Sequence, residues 1–262
     1  MILVNSMRGL GDNVYQRPFV RHLGDVIITT PWPELYADLP NVKFMRSDTT
    51  LRTQQKNIIR QPPEIWTHDY RIERAINVQY AGNDFETAGI FATMERQFGV
   101  EPGPFDLPKV PAWRSGSRRP IAVIRPVTER SECQSQARNP LPKYINEAAA
   151  ILMKTHRVIS VADVDGRAEW FVGELPPAHE RYHAGELTID KLLSLVQSAH
   201  VVVGGVGWIV PMTIAAGTAL YCVLGGRGAH NAPRVVTDPR MDLTRVGWAM
   251  PDNYCACDHP GS

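Results

Sequence analysis

The stretch that most constrains the fold lies between residues 199 and 226. A short apolar run, residues 201–203, predicts a buried strand, and three glycines within residues 204–207 let the chain turn sharply after it. Pro211 suits the first turn of a helix, where its missing N–H is no loss, and a second strand is predicted over 219–224. The free N–H groups of such a strand–turn–helix unit suit a phosphate. Glycines that only permit close packing would give the same pattern.

The chain begins with the same pattern. Apolar residues 2–4 predict a strand, and Gly9 and Gly11 precede a predicted amphipathic helix. The turn is not a dinucleotide-binding fingerprint, because Val14 stands where the third glycine belongs, and it lacks the Lys-Ser/Thr of a P-loop. It places the carboxylate of Asp12 at the carboxyl edge of a sheet, where ligands of open α/β sheets bind. A helix N-cap is the alternative role for this aspartate.

Residues 99–119 are rich in proline, glycine and arginine and predict a boundary between two halves. Predicted strands lie on both sides of it, over residues 25–30, 42–45, 75–80, 121–124 and 157–162. A helix is predicted from about Arg167. Short apolar strands that alternate with helices predict α/β units with parallel sheets. We therefore expect two facing Rossmann-like domains, residues 1–115 and 116–262, with a cleft between their carboxyl edges.

Composition argues against several classes of protein. The net charge of +1 gives no overall attraction to nucleic acid or to a membrane. No apolar run approaches the ~20 residues that span a bilayer, so no transmembrane segment is expected. Four cysteines are too few for a disulfide scaffold. Zinc prefers four ligands, so we expect free thiols and no metal site in the tail that carries Cys255, Cys257 and His259.

Several segments resemble one known family in order and spacing. Residues 5–14 (NSMRGLGDNV) resemble the opening strand and loop of the lipopolysaccharide heptosyltransferases, which form glycosyltransferase family 9 and have the GT-B fold. Residues 124–128 (IRPVT) and 138–142 (RNPLP) are similar to the loop and basic residue that hold the donor diphosphate. Residues 185–188 (GELT) resemble the segment beside the donor nucleoside, and residues 203–216 the phosphate-side turn and helix. The resemblance covers most of the chain, with a shortened N-terminal half.

The resemblance implies an inverting glycosyltransferase that uses a UDP- or ADP-linked sugar and needs no metal or other cofactor. Asp12 is then the base that takes the proton of the acceptor hydroxyl, and Gly9 and Gly11 shape the turn that carries it. Cationic side chains and N–H groups would stabilise the departing diphosphate. The expected donor-binding residues are Arg125, Thr128, Arg138, Gly185, Leu187, Gly205, Gly207 and Trp208.

The second glycine turn departs from the family pattern. Residues 205–208 (GVGW) begin the stretch where Asp-(Ser/Thr)-Gly-x-x-His is usual, which argues against a heptose donor. Two acceptors stay open: a lipopolysaccharide-type saccharide, or DNA with hydroxymethylated pyrimidines such as 5-hydroxymethylcytosine, which compact virus-encoded relatives glycosylate. Basic residues expected on the acceptor side, where phosphates would be contacted, are Arg8, Arg52, Lys56 and Arg60. The expected location is the cytoplasm of a bacterial or virus-infected cell.

Two other classes of protein share this shape. A GT-B-shaped nucleotide-sugar epimerase needs several acid–base groups around one sugar, whereas the sequence places Asp12 alone. A non-catalytic nucleotide-sugar-binding protein would tolerate the loss of the acid and the histidine at the second turn. The presence of Asp12 favours the transferase over the binding protein, and the lack of further acid–base groups argues against the epimerase. The sequence leaves the oligomeric state open.

Overall fold

The computed structural model describes residues 1–47, 55, 71–80, 82–132, 138–226, 228–252 and 254–255. Within these residues the N-terminal half forms a four-stranded sheet in the order β3-β2-β1-β4, and every pairing is parallel. Its strands are β1 (Ile2–Asn5), β2 (Val26–Thr30), β3 (Val42–Arg46) and β4 (Arg74–Asn77). The buried strand β2 is apolar or threonine throughout, as expected for a parallel strand covered on both faces.

The C-terminal half is built on a second parallel sheet. In the described residues it has six strands in the order β12-β11-β10-β5-β7-β9. These are β5 (Ile121–Ile124), β7 (Arg157–Val161), β9 (Glu180–Tyr182), β10 (Val201–Gly204), β11 (Ala219–Val223) and β12 (Val246–Ala249). A small antiparallel pair, β6 (Thr128–Arg130) and β8 (Glu169–Phe171), lies beyond the carboxyl end of β5.

Helices connect and cover both sheets. They are α1 (Leu10–Val20), α2 (Gly82–Thr87), α3 (Gly89–Phe98), α4 (Pro142–Leu152), α5 (Ile189–Ser198), α6 (Ile209–Ala215) and α7 (Pro233–Val236). The predicted α/β class with two parallel sheets is therefore confirmed. The proposed boundary between residues 115 and 116 stays a prediction.

One hydrophobic core joins the two halves. A single cluster of buried side chains includes Val14 and Phe19 of the first half and Leu193 and Val210 of the second. Polar contacts cross the same interface: the Tyr15 hydroxyl donates to the Val236 carbonyl oxygen at 2.5 Å. Burial of this apolar surface holds the two sheets with their carboxyl edges close together.

The helix predicted from about Arg167 is wrong. Asp165 Oδ1 accepts hydrogen bonds from the backbone N–H groups of Arg167, Ala168 and Glu169 at 2.7–3.1 Å. The aspartate thus closes a turn with its own side chain, a local bond that competes with a helix. The chain then continues as strand β8, which pairs with β6.

The helices are short: none of those described is long and apolar enough to cross a membrane. Cys255 is disulfide-bonded, which corrects the expectation of free thiols in the tail. Cys257 and His259 lie outside the described residues.

Candidate active site

Asp12 lies at the start of α1, directly after β1. The N-cap residue is Gly9, with φ −69° and ψ 145°, and Asp12 is the third residue of the helix. Its side chain accepts a hydrogen bond from the Gly9 backbone N–H, as the acidic residue of a capping box does. Asp12 therefore stabilises the helix start without being the N-cap.

A buried polar network fixes the loop that carries Asp12. Asn13 Nδ2 donates to the carbonyl oxygens of Met7 and Gly9, both at 2.8 Å. Asn13 Oδ1 accepts from the Thr30 hydroxyl at 2.7 Å and from the Tyr36 hydroxyl at 3.1 Å. Because every polar atom of this buried amide is engaged, the loop has one well-defined conformation.

Asp12 is partly buried and contacts a tyrosine from a neighbouring strand. The Tyr80 hydroxyl, three residues beyond β4, donates to Asp12 Oδ1. Burial raises the pKa of Asp12 above its usual range, while Tyr80 and the charges of Arg130 and Arg138 oppose the rise. A carboxylate with a raised pKa is a stronger base, which suits it to take a proton from a hydroxyl.

A cationic corner lies opposite Asp12, at the carboxyl end of β5. Arg125 Nη2 donates to the Thr128 hydroxyl at 3.2 Å, and that hydroxyl donates to Glu169 Oε1 at 2.8 Å. Burial lowers the pKa of Arg125, Glu169 opposes this, and the charges of Arg138 and Arg130 lower the pKa further. An arginine stays charged in proteins, so three guanidiniums that repel one another favour an anion at this corner.

Arg138 lies between β6 and α4, near this corner. Its Nε donates to Asn231 Oδ1 at 3.1 Å, and Asn139 Nδ2 donates to the Thr128 carbonyl oxygen at 3.1 Å. The first bond connects the segment after β6 to the loop after β11, and the second connects it to β6. Arg138 is thereby held close enough to Asp12 for its charge to act on the carboxylate of the other half.

The glycine turn after β10 lets three segments approach closely. A Cβ at Gly205 would lie 2.8 Å from Pro140 Cδ, and a Cβ at Gly207 would lie 3.3 Å from Arg125 Nη1. The Arg125 guanidinium thus rests directly on the backbone of the turn. Trp208 is the N-cap residue of α6 and is partly buried against the main core. The sequence predicts two roles for these glycines: to permit close packing, or to expose backbone N–H groups to a phosphate. The arrangement is compatible with both roles.

Gly185 and Leu187 lie in the loop after the edge strand β9, at the same carboxyl edge. Gly185 has φ +71°, the left-handed region that favours glycine. Leu187 is partly buried against the main core. These two residues are on the β7 side of the sheet, whereas Gly205 is on the β10 side, so they flank the carboxyl end of β5.

The acceptor-side residues are only partly within the described chain. Arg8 lies in the loop between β1 and α1, where its guanidinium donates to the Ser6 carbonyl oxygen and its own carbonyl oxygen accepts from Trp32 Nε1 at 2.9 Å. Arg52, Lys56 and Arg60 lie outside the described residues. No group of three or more metal-ligating side chains occurs within the described part of the chain.

Sequence reasoning missed three residues of this site: Tyr80, Arg130 and Glu169. Tyr80 ends a segment predicted as a strand, so its place at the carboxyl edge of the first sheet was a usable signal. Arg130 and Glu169 face each other across the β6–β8 pair, which the mistaken helix at Arg167 concealed.

Comparison with known proteins gives the fold. No protein-family model and no curated protein matches the sequence. Among solved structures, the chain is similar to the iron-containing dodecameric glycosyltransferase TibC from enterotoxigenic E. coli H10407, with 16% identity and a TM-score of 0.59. That alignment covers 85% of this chain, which spans 59% of the length of TibC.

Two other similar structures match over nearly their whole length. The E. coli ADP-heptose lps heptosyltransferase II is 14% identical, with a TM-score of 0.54 over 95% of this chain and 92% of that one. E. coli heptosyltransferase WaaC with ADP-2-deoxy-2-fluoro heptose is 9% identical, with a TM-score of 0.55 over 97% and 94%. At such identities the likeness establishes a heptosyltransferase-like GT-B fold. The reaction has to be inferred from the residues of the site.

Proposed function

We propose that this protein is an inverting glycosyltransferase that moves a sugar from a nucleoside diphosphate to an acceptor hydroxyl. The observation that carries the proposal is the juxtaposition of a partly buried carboxylate, Asp12, with Arg130 and Arg138 of the opposite half. A base on one side and an anion site on the other are the two groups that such a displacement requires.

The reaction follows from these two groups. The acceptor oxygen attacks the anomeric carbon while Asp12 takes its proton, and the bond from that carbon to the diphosphate oxygen breaks on the opposite face. The leaving diphosphate gains negative charge, which Arg125, Arg130 and Arg138 stabilise. The backbone of the turn at Gly205 and Gly207 contributes N–H groups, and attack from the far side inverts the anomeric configuration.

The donor contacts extend along the carboxyl edge of the second sheet. Gly185 and Leu187 flank the nucleoside, and Trp208 lies between the diphosphate turn and α1, on the side of the transferred sugar. Thr128 acts through Arg125 and Glu169, because its hydroxyl hydrogen already binds Glu169. The similar protein WaaC was solved with an ADP-linked sugar, which supports an ADP-linked donor, and a UDP-linked sugar stays the alternative. Residues 1–115 and 116–262 are the proposed acceptor and donor domains.

A saccharide is the proposed acceptor, since the similar structures include an lps heptosyltransferase. Hydroxymethylated DNA is the alternative that the test must separate. A non-catalytic nucleotide-sugar-binding protein is the second candidate function, because residues 205–208 carry no acid at the turn.

The test is a screen of UDP-, ADP- and GDP-sugars by thermal shift and by donor turnover, with a saccharide mixture or hydroxymethylcytosine-containing DNA as acceptor. We expect one nucleotide to raise the melting temperature and Arg138→Ala to weaken that donor at least tenfold, as loss of a charge-assisted contact does. Arg167→Ala, at an exposed surface position, is the matched control. Binding without turnover would select the non-catalytic candidate, and absence of nucleotide binding would contradict the proposal.

A further inference from the structure

Tyr80 reaches Asp12 because β1 and β4 are neighbours in register. Asn5 and Asn77 are paired in the parallel ladder, and Asn5 Nδ2 donates to Asn77 Oδ1 at 2.7 Å. The ladder continues one step further, since the Val78 N–H donates to the Asn5 carbonyl oxygen at 3.0 Å. The two chains therefore leave the sheet side by side, one towards Asp12 and the other towards Tyr80.

The hydrogen bond between them has a fixed direction. An ionised carboxylate has no hydrogen, so the Tyr80 hydroxyl donates and Asp12 Oδ1 accepts. Burial and the nearby charge of Asp12 raise the pKa of Tyr80 well above its usual range. The phenol consequently keeps its hydrogen, and remains a donor, throughout the pH range in which a transferase works.

The other groups around Asp12 act differently. The Gly9 N–H donates to the carboxylate from the start of α1, and Arg130 and Arg138 act by charge from β6 and the loop after it. Two further phenols are close by, but Tyr15 donates to the Val236 carbonyl oxygen, and Tyr36 shares its hydrogen between the backbone and side-chain oxygens of Asn13. Among the described phenols near Asp12, Tyr80 is thus the one that binds its carboxylate.

We propose that Tyr80 is a positioning residue for the base: its hydroxyl fixes Asp12 Oδ1 and thereby orients the carboxylate that takes the proton of the acceptor. The effect of Tyr80 on catalysis rests on the proposed transferase function. Its hydrogen bond to Asp12, however, acts on the carboxylate even in the protein without substrate. A donor to the ionised form stabilises that form. Tyr80 therefore keeps Asp12 ionised, and ready to act as a base, at lower pH than burial alone would permit.

The first measurement needs no substrate. In full-length protein with carbon-13 in the aspartate carboxyl groups, the Asp12 resonance is assigned by its loss in Asp12→Asn and followed by NMR as pH is varied. We expect Tyr80→Phe to raise the Asp12 titration midpoint by about one pH unit, the size expected for one hydrogen bond to a charged group. Tyr15→Phe removes a phenol from the same pocket without touching Asp12 and should leave the midpoint unchanged.

A second substitution guards against a change of fold in Tyr80→Phe. A fluorinated tyrosine at position 80 has nearly the same volume and a more acidic hydroxyl, so it should lower the Asp12 midpoint. An unchanged midpoint in both proteins, or an equal rise in Tyr15→Phe, would overturn the role of Tyr80.

The second measurement is the pH profile of donor turnover with the nucleotide sugar that the screen selects. In Tyr80→Phe the acidic limb of kcat should move up by the same amount as the NMR midpoint, with the donor KM unchanged. A raised donor KM, with the acidic limb of the kcat profile unchanged, would overturn the positioning role of Tyr80 and indicate a structural role. If no nucleotide sugar is turned over, the proposed transferase function is contradicted. The role of Tyr80 is still decided, because the NMR titration measures its effect on Asp12 without substrate.

Discussion

At the scale of single residues, Gly9 and Asp12 depend on each other. An ideal Cβ at Gly9 would lie 2.3 Å from Asp12 Oδ2, inside any allowed contact distance. The backbone of Gly9 is extended, with φ −69°, and would accept any residue. Glycine is therefore required here for the space it leaves to the carboxylate and not for its conformational freedom.

Gly9→Ala should consequently impair catalysis more than folding. The added methyl group must displace the carboxylate, and a misplacement of about 1 Å costs on the order of a hundredfold in rate. We expect kcat to fall by that order while the melting temperature changes little, measured by donor turnover and thermal unfolding. Gly24→Ala, where a Cβ would meet nothing within 4 Å, is the control. A wild-type kcat in Gly9→Ala would show that the observed carboxylate position is not the catalytic one.

Single residues also show what the sequence could and could not predict. Asp12 and Arg138 are candidates from the sequence because each lies in a local segment that resembles a known loop, and their roles stay predictions. Tyr80 is 68 positions from Asp12, and only the β1–β4 pairing brings them together. Such a contact depends on sheet order, which local patterns do not encode.

At the scale of elements, the packing of α1 against α6 brings the two halves together. A Cβ at Gly11 would lie 3.2 Å from the Trp208 Cα and 3.3 Å from Pro211 Cγ. Backbone cannot move aside as a flexible side chain does, so Gly11 sets the distance between the two helix starts. The same contact places Asp12 and the glycine turn on one cleft.

Gly11→Leu should therefore destabilise the whole protein. Overpacking at this helix contact is expected to cost about 1–3 kcal/mol of unfolding free energy, measured from the urea unfolding midpoint. Gly24→Leu, directed into open space, should change the midpoint far less. Equal midpoints for Gly11→Leu and the unchanged protein would mean that the two helix starts are not in contact in solution.

Elements differ in how well local sequence predicts them. The strand Ile121–Ile124 was predicted to the residue, because its continuous apolar run has Pro120 before it and Arg125 after it. The segment after Asp165 was not, since a side-chain hydrogen bond replaced the expected helix start. Three-residue strands such as β8 are too short for their period to be recognised.

At the scale of the whole molecule, the fold supplies a cleft between two carboxyl edges, each followed by a glycine turn and a helix. Asp12 comes from one edge and Arg125 and Arg138 from the other. We propose that these groups act in one reaction, with Asp12 as the base and the arginines as the anion site. Neither half alone contains both the base and the anion site.

The most direct test compares Asp12→Asn with the unchanged protein in single-turnover transfer and in donor binding by calorimetry. Asparagine keeps the shape of the side chain and cannot take the proton. We expect a transfer rate lower by roughly a hundredfold to ten-thousandfold, with a donor Kd within a few-fold of the original because the arginine site is intact. Transfer at the original rate would contradict it and would leave Asp12 as a residue that only stabilises the start of α1.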